Sequence, residues 1–152
     1  MAITPPLPGG LFDGPVHLYG VRVYYEDTDL SGITYHANYL RWFERARSDI
    51  LRLLGIDQRA AIEAGEGAYA VADLTLRYHR PARLDDDIVI QTRCTDLKAA
   101  SVVMLQRAFR GEELLTEARF RVGFVAPSGR PRRQPEAWRK AFQPVLSESP
   151  AP

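Results

Sequence analysis

Apolar residues recur along this chain with two different periods, and the change of period organises it. Val16–Glu26 predicts a strand, with Val21 and Val23 on one side and Tyr24 and Tyr25 following. Asp27–Ala37 then breaks the alternation with Asp, Thr, Ser and Gly, the composition of a turn. From there the spacing is helical: Tyr39, Phe43, Ala46, Ile50 and Leu53 or Leu54 recur every three or four residues. Asn38 is the expected N-cap of this helix, and Gly55 its expected left-handed terminator. Asp57–Ala64 predicts a short second helix.

After Gly67 the period falls to two. Val71, Leu74, Leu76 and Tyr78, with Asp73 outward, predict a strand that Pro81 ends. Ile88–Cys94, Val103–Phe109 and Leu115–Val125 predict three more, the last two joined by a tight hairpin at Gly111 and Glu112. Pro135–Phe142 predicts a terminal helical turn that packs Trp138 and Phe142 on the body. One strand, one long helix and then four antiparallel strands is an α+β order, in which the helix covers one face of the sheet. Neither GxGxxG nor GxxxxGK[ST] occurs, which excludes the usual dinucleotide and P-loop signatures.

Proline marks the limits of the folded body. Of eleven prolines, four lie at or before Pro15, six at or after Pro127, and Pro81 alone falls between. Proline removes a backbone donor and is poorly tolerated inside helices and central strands. The expected organisation is a loose arm at residues 1–15, one domain at 16–144 and a frayed tail at 145–152.

Composition narrows the function classes. Twenty basic and nineteen acidic residues leave a net charge of +1, so nothing draws the chain as a whole to nucleic acid or an anionic membrane. Cys94 is the only cysteine; it permits no intrachain disulfide and reads as a buried, inert thiol. The MAITPPLPGG start has neither the basic nor the apolar region of a signal peptide. No apolar run approaches the ~18–20 residues of a membrane span, and a reducing cytoplasm is the expected compartment.

The densest polar chemistry lies in YYEDTDLSGITYHANY, between the first strand and the long helix. Glu26, Asp27 and Asp29 crowd three acids into four residues, and His36 and Asn38 precede the helix. A helix N-terminus presents unpaired amides that can polarise a carbonyl and stabilise an oxyanion. A nearby acid can serve as nucleophile or as general base toward water. Such acids also serve simply as caps, so the residues alone leave both readings open. Asp27, Asp29 and His36 lack HExxH spacing and an evident fourth ligand, and no metal is expected.

VRVYYEDTDLSGITYHANYLRWFERAR closely resembles the opening segment of the YbgC-like acyl-CoA thioesterases, relatives of 4-hydroxybenzoyl-CoA thioesterase associated with the Tol-Pal system. LTLRYHRPARLDDDIVIQTRCTDLKAASVVMLQRAF resembles the second signature of that family, an aromatic–x–x–PARLDD pattern with the strands after it; together they cover about residues 18–126. The resemblance implies a hotdog fold, a five-stranded antiparallel sheet around one long helix. It also implies a homodimer or homotetramer with sites at the subunit interface. Carried onto this chain, it makes Asp29 the catalytic carboxylate, with Tyr25 and His36 completing the site and the His36 amide facing the thioester carbonyl.

Tyr35, Asn38, Lys98 and Ser101 are the candidates for substrate contact. The aromatic-CoA relatives carry a basic cluster before the position of Ser101, where this chain has Lys98-Ala99-Ala100. Leu30-Ser31 likewise departs from the small residues usual in the loop. Asp27 reads as a brace, and Glu44 as structural with an arginine among Arg41, Arg45 and Arg47 as its natural partner. The expected reaction is cofactor-free hydrolysis of an acyl-CoA, with acyl-carrier protein open as an alternative carrier. The rival readings are a dehydratase or hydratase of the same fold and a non-catalytic acyl-carrier or envelope-complex binding module.

Overall fold

The computed structural model describes residues 2–148. Its strands are β1 (Leu11–Asp13), β2 (Val16–Arg22), β3 (Ala68–Tyr78), β4 (Asp87–Thr95), β5 (Ser101–Arg110) and β6 (Glu113–Val125). Three helices, α1 (Asn38–Leu53), α2 (Gln58–Glu63) and α3 (Glu136–Phe142), complete it. All paired strands are antiparallel, in the order β1-β2-β4-β5-β6-β3. This is the expected α+β sheet with one long helix.

The helical stripe is what fixes α1 to the sheet. Tyr39, Trp42, Phe43, Ala46 and Ile50 are buried against inward residues of the strands, among them Ile88, Ile90, Met104 and Phe120. Phe43 meets Phe120 edge to face, with ring centroids 5.7 Å apart. Truncating so enclosed a ring to alanine costs about 3–5 kcal/mol. At the far end Gly55 takes φ +77°, its amide donates to Arg52 and the Ile56 amide to Leu51. The helix ends there as expected, because only glycine adopts that conformation without strain.

The sheet has six strands rather than five. The additional strand, β1, comes from the expected loose arm: Leu11–Asp13 pair with Val16–Leu18, and the Gly10 amide donates to Asp49 at 2.9 Å. The expected tail is partly engaged too. Val145 is buried and the Ser147 amide donates to the Cys94 carbonyl at 2.8 Å; residues 149–152 lie outside the described residues.

Two local expectations fail for identifiable reasons. β2 stops at Arg22, because the Asp27 carboxylate accepts the Tyr24 amide at 2.8 Å and winds Tyr25–Asp27 into a 3₁₀ turn. Asn38 is the first helical residue and not the cap. Its amide donates to Tyr35 at 2.8 Å, its side chain is buried, and the capping position falls to Ala37, which has no acceptor to offer.

Candidate active site

The acidic loop is a closed structure. The Asp29 amide donates to Ile33 at 2.9 Å, the Gly32 amide to Asp29 at 3.0 Å and the Tyr35 amide to Asp27 at 2.8 Å. Gly32 turns the chain at φ +81°. This fold-back brings His36 near enough for its imidazole to favour the charge on Asp29. The Ser31 hydroxyl and then the Ser31 amide, at 2.9 Å, donate to Asp29 Oδ1. Those bonds hold the carboxyl below the ordinary carboxylate range, because a carboxylate that accepts two hydrogen bonds is harder to protonate. Asp29 is therefore ionised at neutral pH and exposed, as a base or nucleophile must be.

Asp27 has a different task. One of its oxygens closes the 3₁₀ turn, and its carbonyl receives the Tyr35 amide. Tyr25, on that turn, is 84% exposed. Tyr35 packs against His36 with ring centroids 4.5 Å apart, and both are exposed.

The PARLDD segment lies against this loop, which explains why the two signatures occur in one chain. The Thr34 amide donates to the Ala82 carbonyl at 2.8 Å, and Ile33 bridges Arg83. The Ala82 amide in turn donates to the buried Tyr39 hydroxyl at 3.2 Å, on the first turn of α1. Asp86 receives the Arg83 amide at 2.8 Å and Arg110 Nη1 at 2.7 Å. Partial burial opposes its charge, yet these donors keep its carboxyl below the usual range. Tyr78, the aromatic residue of the same motif, donates its hydroxyl to the His36 carbonyl and stacks edge-on against Tyr39 at 5.6 Å.

At the head of α1 the amides divide into two sets. Those of Thr34, Tyr35 and Asn38 are bonded within the chain; those of His36 and Ala37 have no acceptor among the described residues. Backbone donors without an acceptor just before a helix can bind a carbonyl oxygen and steady the charge that develops on it.

Not every candidate residue is gathered here. Ser101 is level with Ala70 across β6, and Lys98 donates its amide to the Ser101 carbonyl at 2.8 Å. Tyr78 is eight positions further along β3, about 26 Å away at strand rise. Within one chain Lys98 and Ser101 are thus remote from Asp29. Near their end of the sheet a cavity of about 170 Å³ lies between α1 and the strands, lined by Arg47, Leu51, Tyr69, Val71, Val102 and Met104.

Glu44 pairs with no arginine among the described residues; it accepts the Ser48 hydroxyl at 2.9 Å. Arg47 lies over the Phe120 ring at 4.2 Å and donates to Gln106 at 3.0 Å instead. Burial pushes the Cys94 thiol up to about 12, which leaves it an unreactive core residue. No group of three or more His, Cys, Asp or Glu is placed to hold a metal ion among the described residues. Nor is any helix there long and apolar enough to cross a membrane.

Residues 31–117 match the model of the thioesterase superfamily, more than half of the chain. The chain belongs to that superfamily. Within it, the chain is 44% identical over 119 residues to the acyl-CoA thioester hydrolase YbgC of Escherichia coli O6:H1, covering 77% of this chain and 88% of that one. It is 40% identical over 107 residues to the acyl-CoA thioesterase YbgC of Haemophilus influenzae, covering 70% and 79%. A solved structure described as a probable thioesterase of Bartonella henselae superposes with a TM-score of 0.75 at 36% identity, over 79% of this chain and 99% of that one. These likenesses make the chain a thioester hydrolase with the hotdog fold of its superfamily.

One polar pair escaped the sequence reading. His17 on β2 and Asp49 on α1 are both buried and joined at 2.7 Å. The signal was present: His17 has the inward parity of Tyr19, Val21 and Val23, and Asp49 lies on the apolar stripe beside Ile50. An acid and a histidine on two facing apolar surfaces are candidates for each other.

Proposed function

We propose that the chain hydrolyses acyl-CoA thioesters to free carboxylic acid and CoA, with Asp29 as nucleophile or general base and the His36 amide as oxyanion donor. One observation carries this reading. The Asp29 carboxylate, kept ionised by Ser31 and electrostatically coupled to His36, belongs to the loop before α1, where the His36 amide has no acceptor among the described residues. In the general-base route Asp29 takes a proton from water as the oxygen bonds to the thioester carbon. Negative charge then moves to the carbonyl oxygen, toward the amide. Collapse expels the CoA thiolate, which takes up the proton. His36 and Tyr25 help to place water and substrate, and Tyr35 and Asn38 flank the acyl group. CoA is part of the substrate, so no cofactor enters.

The working unit in this reading is a dimer, built through β3. That strand is an edge, with Val71, Leu74 and Tyr78 between 40% and 47% exposed. Two copies pairing there in antiparallel fashion bring one protomer's Tyr78 end beside its partner's Ala70 end. The cavity near Tyr69, and Lys98 with Ser101, then serve the opposite protomer's carboxylate, one for the acyl group and the others for CoA. Thiol release from a series of acyl-CoAs, aliphatic and benzoyl, tests the reaction, and light scattering tests the assembly. A wild-type chain that releases no thiol from any of them, or an active monomer, would contradict these respective claims. Acyl-carrier protein thioesters run in parallel decide between the two carriers.

A further inference from the structure

Resting on the reading just given, we infer that Tyr78 is a positioning residue for the reaction: by donating its hydroxyl to the His36 carbonyl it sets the residue whose amide receives the thioester oxygen. The His36–Ala37 peptide is the weak point of the loop. Its neighbours are tied by backbone bonds, the Tyr35 amide to Asp27 and the Asn38 amide to Tyr35, both at 2.8 Å. The His36 carbonyl accepts from no backbone amide among the described residues, and its partner is Tyr78. That carbonyl shares its peptide plane with the Ala37 amide, the other donor here without an acceptor, and adjoins the Cα that carries the His36 amide, so freeing it lets this pair of donors lose its alignment.

The tether is itself well anchored. Tyr78 is the last residue of β3 and stands opposite Thr116 in the sheet. Its ring packs edge-on against Tyr39, centroids 5.6 Å apart at 69°, and the Tyr39 hydroxyl accepts the Ala82 amide. The same PARLDD segment bonds Thr34, two residues before His36. Sheet end, second motif and helix start thus converge on one carbonyl. Partial burial, and then the neighbouring Tyr39, raise the Tyr78 hydroxyl above its ordinary value, so it remains a donor through the neutral range. Preorganised donors work because they need no realignment as charge develops, and small misplacements are expensive in rate.

The test uses the full chain as wild type, Tyr78→Phe, Tyr78→Leu and Asp29→Asn, on the fastest of acetyl-, butyryl- and benzoyl-CoA. Tyr78→Phe keeps the ring and its stacking and removes only the hydroxyl. The expected result is a kcat reduced ~10-fold, with KM within about twofold and an unchanged thermal midpoint. Tyr78→Leu, which also loses the stacking, should add a loss of stability but little further loss of kcat. If Tyr78→Phe has wild-type kcat while Asp29→Asn is inactive, the positioning role fails and the hydrolytic site stands. The role fails equally if kcat falls only in Tyr78→Leu and in step with the thermal midpoint. If Asp29→Asn retains full activity, the site reading and the inference fall together.

Discussion

Helix α1 serves two aspartates, each with a histidine close by, in opposite surroundings. Asp29 and His36 stand exposed at its N-terminus. Asp49 and His17 are sealed beneath its middle, where Asp49 Oδ2 receives the Gly10 amide at 2.9 Å and contacts His17 Nε2 at 2.7 Å. Burial pulls the His17 pKa down against the opposing pull of Asp49. The inner pair has its acceptor committed to the protein and no path to substrate; it holds the N-terminal segment on the sheet. The outer carboxylate is bonded only to its own loop, through one oxygen. What separates the buried pair from the exposed one is therefore access to solvent, not residue type.

The sharpest way to break this contrast is to neutralise each aspartate. Asp29→Asn should lower kcat by ~10²–10⁴, about 3–5 kcal/mol of transition-state stabilisation, and leave the thermal midpoint in place. Asp49→Ala should do the converse. Loss of both bonds from one buried carboxylate costs about 3 kcal/mol, which moves the midpoint of a chain this size by roughly 6–12 °C. The kcat of the remaining folded protein should stay near wild type. An Asp49→Ala enzyme that is stable but inactive would erase the distinction.

Acidity separates the pairs more gently. His17 has a folded pKa below its free value of 6.5. Above that value it is neutral in both states and has no effect. As pH falls through it, the unfolded chain takes up a proton that the folded chain refuses, so stability declines until the lower folded pKa is reached. Unfolding midpoints compared at about pH 7.5 and about pH 5.5 should show this decline in the wild type and a smaller one in His17→Gln. An equal decline in both would place the sensitivity elsewhere.

The smallest effect is reserved for Asp27→Asn. Its carbonyl contact persists and an amide oxygen can still accept the Tyr24 amide, so kcat should fall less than ~10-fold. Steady-state hydrolysis with Asp27→Asn more damaged than Asp29→Asn would mean that the motif has been read one acid out of place.

Much of the fold could be read in advance because α1 and the strands after Gly67 carry their periods openly. The early end of β2 and the cap of α1 turned on contacts three residues away, whereas the other misses share a cause, a partner distant in sequence. Leu11–Asp13 looked like part of a proline-rich arm, and only β2 and Asp49, 39 residues from Gly10, make it a strand. The PARLDD motif was recognisable, but its task was not, because Ala82 acts on Thr34 and Tyr39 across some forty residues. The acidic loop was legible as a candidate site since its polar residues are local, with Asp29 and its donor Ser31 two positions apart. One sign went unused. The larger apolar residues of β3 fall at 69 and 71 and then at 74, 76 and 78, a change of parity that coincides with the bulge between Val71 and Asp73.

That bulge bears on how far copies of the chain can be joined. An exposed strand of eleven residues invites endless addition of further strands. Here the extra residue interrupts the ladder, which favours one self-matching register over sliding ones. A two-fold pairing of β3 with β3 consumes both long edges at once. Each protomer then presents only β1, three residues long. In that proposed pairing growth along the sheet has nowhere to continue, and the long open edge is used up in a finite particle instead of extending into a fibre.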